Sequence, residues 1–119
     1  MLIVDDDPLV VRMLKMTFDL EGYKVTTASD GEEGLRRARE EMPDVILCDI
    51  MMPNLSGVEL HEQMATVAPL LQERMVFLTG GAFTDRARAF LDRIPNRRLD
   101  KPFDLKELRR LVGAAQKDP

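Results

Sequence analysis

Short apolar runs alternate with longer amphipathic stretches along the whole chain. The apolar runs predict β-strands at residues 2–4, 45–48 and 75–78. A segment rich in Val and Thr predicts another at 23–28, and we expect a short fifth strand near 97–100. The stretches between and after them place apolar side chains at helical spacing, which predicts five α-helices. Strands that alternate with helices pair in parallel through right-handed crossovers. The pattern therefore predicts an α/β fold, a doubly wound five-stranded parallel sheet with helices on both faces.

Polar residues mark the start of each predicted helix. A short side chain able to accept a hydrogen bond from the first turn precedes every amphipathic stretch, at Asp7, Asp30, Ser56, Thr84 and Asp104. Three of these five residues are followed three positions later by glutamate, which is the capping-box pattern. Gly22, Pro43 and Pro69 indicate where the first three helices end.

Composition narrows the class of protein. The 119 residues include 21 acidic and 17 basic side chains, a net charge of −4, and 45% are hydrophobic. These values are typical of one globular domain, so we expect a single domain over residues 1–119. The lone cysteine excludes an internal disulfide and a multi-cysteine metal site. Since no segment approaches the roughly 20 apolar residues of a membrane span and no leader is visible, we expect a cytoplasmic protein that binds no membrane.

Charged and hydroxyl side chains follow four of the five predicted strands. They are Asp5 and Asp6 after the first strand, Asp49 after the third, Thr79 after the fourth and Lys101 after the fifth. The carboxyl ends of parallel strands meet at one edge of the sheet, where such folds bind their ligands. We therefore expect three carboxylates, one hydroxyl and one ammonium to lie close together.

This set of residue types points to phosphoryl transfer. Clustered carboxylates repel one another unless a cation neutralises them, and hard oxygen ligands favour Mg²⁺, with Mn²⁺ as a substitute. Lys101 and Thr79 are suited to phosphate oxygens. Aspartates form acyl-phosphates when a metal and a lysine balance the charge, which makes Asp49 a candidate nucleophile.

Four sequence motifs carry a resemblance to a known family. They are LIVDDDP at 2–8, DVILCDIMMPNLSG at 44–57, MVFLTGG at 75–81 and LDKPF at 99–103. In this order and at these intervals they resemble the receiver domains of two-component response regulators, over essentially the whole chain. The resemblance implies a flavodoxin-like fold with strand order 2-1-3-4-5. It also implies that a histidine kinase or a histidine phosphotransfer protein is the phosphodonor, and that no external substrate is turned over.

The resemblance assigns roles to particular residues. It implies that Asp49 is the phosphoacceptor and that Thr79 and Lys101 contact the phosphoryl group. It implies a Mg²⁺ site formed by Asp5, Asp6, Asp49 and the backbone carbonyl of Met51. The bond between Lys101 and Pro102 is commonly cis in the family. In the family, the side chains at the positions of Met51 and Gly81 often influence the hydrolytic water.

One position departs from the family pattern. Many receivers carry tyrosine or phenylalanine three residues before the conserved lysine, as a switch coupled to the threonine. This chain has Arg98 there. An aromatic switch is therefore not expected, and signalling would run through Arg98 or the loop at 80–83.

Charge is unevenly distributed along the chain. Residues 1–85 contain seven basic and sixteen acidic side chains, whereas residues 86–110 contain nine basic and four acidic. The asymmetry predicts a partner face within residues 84–111, for an acidic surface of a kinase or of a second copy. The alternative is that these charges lie on solvated faces. The overall negative charge argues against direct nucleic-acid binding by this domain.

A phosphatase and an unphosphorylated interaction module are the two alternatives to a phosphorylated receiver. A phosphatase of the haloacid-dehalogenase type has Asp-x-Asp-x-Thr/Val after its first strand, and Leu9 departs from that box. A receiver-shaped module that is never phosphorylated would usually have lost one of the key residues.

The chain could be a stand-alone regulator or the receiver of a transcription factor, but LTGGAF and LDKPF most resemble a hybrid histidine kinase. We expect His61 to be an exposed helical residue rather than a phosphodonor, and Cys48 to lie in the core.

Overall fold

A computed structural model describes residues 1–52, 54–80 and 84–117, with side chains up to Ala115. Five strands form one sheet: β1 (Leu2–Val4), β2 (Thr26–Ala28), β3 (Ile46–Asp49), β4 (Met75–Thr79) and β5 (Arg98–Asp100). All neighbouring strands are parallel, and their order is β2-β1-β3-β4-β5. The predicted α/β class and the implied strand order are confirmed.

Helices cover both faces of the sheet. They are α1 (Pro8–Leu20), α2 (Gly31–Glu41), α3 (Gly57–Val67), α4 (Pro69–Glu73), α5 (Asp85–Arg93) and α6 (Leu105–Lys117). The sequence predicted five helices and missed α4. Pro69 ends α3 as expected, but proline is also favoured at the first position of a helix, and there it begins α4. No helix among the described residues has the length and apolar character needed to span a bilayer.

The predicted helix caps are present. In each case the side chain accepts a backbone N–H two or three residues later, at Asp7, Asp30, Ser56, Thr84 and Asp104. Ser56 and Glu59 form the complete reciprocal capping box. Glu33 instead accepts from the N–H of Ser29 at 2.8 Å. These caps fix the loop ends from which the helices leave the sheet.

The second strand is shorter than predicted. The Val and Thr content predicted a strand over 23–28, whereas β2 contains only Thr26–Ala28. Gly22 has a φ of 91°, and the N–H of Tyr23 bonds to the carbonyl of Phe18 at 3.0 Å. Tyr23 therefore belongs to the turn that ends α1, and its ring packs edge-on against Phe18 at 5.3 Å.

The core consists of two apolar layers, one on each face of the sheet. Alternate residues of β3 enter opposite layers: Ile46 and Cys48 pack towards α2, α3 and α5, and Leu47 packs towards α1 and α6. All three are fully buried. This is the environment expected for a central parallel strand, and the prediction that Cys48 lies in the core is confirmed.

The prediction that His61 is exposed was wrong. The residue is 8% exposed, and its ring lies 4.9 Å from Phe90 and 5.8 Å from Phe77 between ring centroids. Its face of α3 packs against β4 and α5, where hydrogen bonds to Gln72 and Asn96 satisfy the ring nitrogens. Val58 and Met64, three residues before and after His61, are also buried, so the helical spacing of these residues was a usable signal.

Candidate phosphorylation site

Three carboxylates meet at the carboxyl end of the sheet, as the sequence predicted. Asp5 follows β1 directly, and Asp49 is the last residue of β3. An oxygen from each of Asp5, Asp6 and Asp49 lies within 4.8 Å of the others, and we call this group the acidic cluster. Asp5 is 1% exposed and Asp49 is 8% exposed, whereas Asp6 is exposed to solvent.

Lys101 supplies the positive charge of the site. Its Nζ atom lies 2.8 Å from Asp5 Oδ2 and 3.7 Å from Asp49 Oδ2. Lys101 follows β5. In the sheet, β3 and β4 lie between β5 and β1, so Lys101 and Asp5 approach the cluster from opposite sides of these two strands. The Lys101–Pro102 peptide bond is cis, as the resemblance implied. The acidic cluster and this lysine therefore form one constellation.

The electrostatics of the cluster favour an added cation. Burial, together with the charge of Asp5, raises the pKa of Asp49 to about 6, although Lys101 and the N–H of Met51 act in the opposite direction. Burial alone would lower the pKa of Lys101, but its hydrogen bond to Asp5 and the charge of Asp49 raise it overall. One ammonium thus faces three carboxylates, which leaves negative charge uncompensated.

The donor atoms of the cluster fit a hard divalent cation. Carboxylate oxygens are preferred by Mg²⁺ and Mn²⁺, which need few protein ligands. The softer candidate ligands lie elsewhere, because Cys48 and His61 are both buried in the core. Met51 adjoins the cluster through its N–H, which donates to Asp49 Oδ1 at 3.3 Å. Its side chain is 39% exposed.

Thr79 is at the same edge, but its hydroxyl is bonded elsewhere. It is the last residue of β4 and is 2% exposed. Its Oγ1 donates a hydrogen bond to Asp100 Oδ1, on the neighbouring strand β5. Sequence analysis missed Asp100, although its position as the last residue of β5, opposite Thr79 in the sheet, was a usable signal.

Arg98 lies beside a cavity rather than filling one. A cavity of about 450 Å³ between α5 and β5 is lined by Thr79, Leu91, Arg98 and Asp100, among others. The guanidinium of Arg98 lies 3.7 Å from Asp92 of α5. The cavity thus lies beside the position at which many receivers carry an aromatic side chain and this chain has Arg98. Gly81, the other position that was singled out, lies outside the described residues.

Comparisons with known proteins agree with this geometry. The family model described as "Response regulator receiver domain" matches residues 1–113. The chain is 42% identical over 76 residues to the alkaline phosphatase synthesis transcriptional regulatory protein PhoP of Bacillus subtilis, covering 64% of this chain and 29% of that protein. It is 32% identical over 107 residues to the probable transcriptional regulatory protein TcrX of Mycobacterium tuberculosis, covering 90% and 45%.

A solved structure shows the same fold. It is the receiver domain of a sensor histidine kinase from Pseudomonas aeruginosa, with a magnesium ion coordinated in its active-site cleft. The TM-score is 0.84 at 27% identity, covering 98% of this chain and 96% of that one. The chain spans less than half the length of PhoP and TcrX. On the family match and this fold, the chain belongs to the response regulator receiver domain family of two-component signalling.

Proposed function

We propose that Asp49 accepts a phosphoryl group from the phosphohistidine of a histidine kinase or of a histidine phosphotransfer protein. The observation that carries this proposal is the constellation at the carboxyl end of the sheet. Three carboxylates lie within 4.8 Å of one another, and the ammonium of Lys101 lies 3.7 Å from Asp49. This arrangement offers an oxygen nucleophile beside groups that balance the charge of a phosphoryl group.

The acidic cluster is proposed to hold Mg²⁺, with Mn²⁺ as a substitute. Receiver domains generally bind Mg²⁺ at an acidic pocket. The ligands would be the side chains of Asp5, Asp6 and Asp49 and the backbone carbonyl of Met51. A bound Mg²⁺ would neutralise negative charge on the oxygens of the transferring group.

The proposed transfer exchanges one bond to phosphorus for another. An oxygen of the ionised Asp49 carboxylate forms a bond to phosphorus as the bond between phosphorus and the histidine nitrogen breaks. The electron pair of that bond stays on the imidazole nitrogen, and the ring leaves as neutral imidazole with one proton supplied by solvent. Lys101 offsets the charge of the acyl-phosphate, and the Thr79 hydroxyl donates a hydrogen bond to a phosphoryl oxygen.

We propose that the chain is a phosphoacceptor and turns over no external phosphomonoester. In the rival phosphatase reading, Asp7 would be the second aspartate of the catalytic box. Here Asp7 is exposed, and its carboxylate caps α1 by accepting from the N–H of Leu9 at 3.0 Å. A structural cap explains this residue without a catalytic role. Hydrolysis of p-nitrophenyl phosphate at a rate above that of Asp5→Asn, which removes the first aspartate of that box, would contradict the proposal.

The direct test is phosphorylation by a small donor. Acetyl phosphate with Mg²⁺ should label the parent chain once, and Asp49→Asn and Asp49→Ala should abolish the label, as measured by intact-protein mass under mild conditions. Asp44→Asn is the matched control, because Asp44 is an exposed carboxylate just before β3. Labelling that survives in both Asp49 variants would disprove the assignment.

The larger protein is a separate proposal. We propose that residues 1–119 act as one receiver domain, either as a stand-alone regulator or within a transcription factor or a hybrid histidine kinase. The two curated relatives described above are transcriptional regulators, whereas the Pseudomonas receiver belongs to a sensor histidine kinase. The motifs LTGGAF and LDKPF favour the receiver of a hybrid histidine kinase. Sequencing the full gene product distinguishes these possibilities, by a DNA-binding domain, by a kinase core or by the presence of neither.

A further inference from the structure

The hydroxyl of Thr79 is held by a carboxylate that is not part of the acidic cluster. Thr79 Oγ1 donates to Asp100 Oδ1. The two residues face each other as the last register pair of β4 and β5. Thr79 is 2% exposed, whereas Asp100 is exposed and lines the cavity between α5 and β5. The bond therefore ties the buried hydroxyl to the β5 side of the site.

A threonine hydroxyl has one proton, so it donates one hydrogen bond at a time. Thr79 can donate to a phosphoryl oxygen only after it releases Asp100. Hydrogen bonds to ionised acceptors are roughly twice as strong as those between neutral groups. Asp100 is therefore a strong competitor for the proton that the phosphorylated state needs.

To exchange Asp100 for a phosphoryl oxygen, the Thr79 side chain changes its rotamer while the strands stay in place. The N–H of Lys101 donates to the carbonyl of Thr79 at 2.5 Å, next to the ladder that pairs β4 with β5. These backbone bonds hold Thr79 in place. A β-branched side chain has few χ1 rotamers, so the hydroxyl moves between discrete positions.

We propose that Asp100 is a positioning residue that restrains Thr79 in the unphosphorylated state and thereby opposes phosphorylation of Asp49. The inference rests on the proposed function of Asp49. Asp100 is exposed, so water solvates its carboxylate once Thr79 has left, and the restraint stays reversible. The bond to Asp100 thus sets part of the equilibrium between the resting and phosphorylated arrangements.

Beryllofluoride in saturating Mg²⁺ is the probe, because it mimics an acyl-phosphate without chemistry. Asp100→Ala should bind it about tenfold more tightly than the parent, as measured by fluorine NMR titration, because Thr79 no longer has a competing acceptor. Asp100→Asn keeps the size of the side chain and should give a smaller gain. It also serves if Asp100→Ala fails to fold.

Loss of a negative charge near an anion site could tighten binding by itself, so the test needs a double-mutant cycle. In the Thr79→Val background, Asp100→Ala should change beryllofluoride affinity by less than about twofold. Asp92→Ala is the matched control, since Asp92 lines the same cavity but pairs with Arg98. Mg²⁺ affinity, measured by calorimetry without beryllofluoride, should be unchanged in Asp100→Ala.

The possible results distinguish failure of the Asp100 inference from failure of the proposed function of Asp49. An equal gain with and without the Thr79 hydroxyl would overturn the inference and leave charge repulsion as the cause. No gain in either Asp100 variant would also overturn it. Failure of the parent chain to bind beryllofluoride at all, or binding that survives in Asp49→Asn, would instead count against the proposed function.

Discussion

Lys101 Nζ donates a hydrogen bond to Asp5 Oδ2 over 2.8 Å, although 96 positions separate the two residues. Asp5 also accepts from the N–H of Asp7 at 2.9 Å. The Asp5 side chain is fully buried, and that of Lys101 is 22% exposed. This pair joins the ends of β1 and β5 across the acidic cluster, so the same lysine that faces Asp49 also contributes to the stability of the fold.

The two aspartates that follow β1 should have opposite effects on stability in the absence of metal. Asp5→Ala leaves Lys101 without its closest partner and the N–H of Asp7 without its acceptor. We expect a loss of about 1–3 kcal/mol in the free energy of unfolding. The measurement is urea unfolding in EDTA, with unchanged m-values as the sign that the unfolding transition is comparable.

Asp6→Ala is the matched variant, and it should be neutral or stabilising. Asp6 is exposed and adds to the repulsion within the acidic cluster. Its removal should raise the free energy of unfolding by up to about 1 kcal/mol, because solvent screens most of the repulsion. The same variant should lose Mg²⁺ affinity in calorimetry. A destabilised metal-free Asp6→Ala protein would contradict the argument.

The lifetime of the phosphorylated state should depend on Met51. Its exposed thioether side chain offers no strong hydrogen bond with which to orient an attacking water. Met51→Asn should therefore speed dephosphorylation by roughly three- to tenfold, equivalent to about 1 kcal/mol in the barrier. The measurement is the decay of the label after acetyl phosphate is removed in excess Mg²⁺. Met51→Leu is the control and should decay at the parent rate.

Most of the fold could be predicted because the local signals agree with the tertiary structure. Each helix longer than one and a half turns begins at a residue whose side chain caps it, and the β3 and β4 runs are continuous and apolar. The two misses have local causes. The turn that ends α1 takes Tyr23 out of β2, and Pro69 both ends one helix and begins the next.

The candidate site could be predicted only as a set of positions. The topology of a parallel sheet places Asp5, Asp49 and Lys101 at one edge, independently of the conformations of their side chains. The partner of a given side chain depends on cross-strand register, which the sequence does not display. Thr79 was therefore placed at the correct edge, while its bond to Asp100 was not foreseen.

The partner face predicted within residues 84–111 is divided between two helices. Arg88 of α5 lines the cavity beside β5, whereas Arg109 of α6 bonds to Glu21 at 2.8 Å. We expect Arg88→Glu to weaken transfer from a kinase or self-association at least threefold at low salt, since the charge would then repel an acidic partner. Acetyl phosphate labelling should be unchanged.

Arg36→Glu on α2 is the control for nonspecific charge effects, because Arg36 lies outside the basic segment. Arg109→Glu should show the same weakening if the two arginines belong to one interface, and thermal unfolding checks that loss of the Glu21 pair has not disturbed the fold. Equal behaviour of Arg88→Glu and Arg36→Glu would leave the solvated-face interpretation in place.

The hydrogen bonds of the buried His61 favour its neutral form. The side-chain amide of Asn96 donates to the carbonyls of Gln72 and Met75, so its oxygen is left to accept from His61 Nε2 at 3.1 Å. Gln72 Nε2 lies 3.3 Å from His61 Nδ1 and also donates to the His61 carbonyl. The Nδ1 atom is therefore the acceptor, and a proton there would face another donor.

Burial lowers the pKa of His61, and nearby Arg93 acts in the same direction, while the bond to Asn96 and the charge of Glu62 oppose the shift. The unfolded chain thus binds more protons just below the ordinary histidine pKa of about 6.5, so this contribution to stability is lost as the pH falls through that value. The raised pKa of Asp49 has the opposite sign, because the folded chain keeps that proton up to about pH 6.

A comparison with His61→Gln separates the two titrations, since Asp49 contributes equally to both proteins. We expect the parent to exceed His61→Gln in free energy of unfolding by more at about pH 7.5 than at about pH 5, where the parent pays for charging the buried ring. Urea unfolding in EDTA across this range provides the measurement. A difference that stays constant with pH would show that His61 has the same pKa in the folded and unfolded chains, and would contradict this prediction.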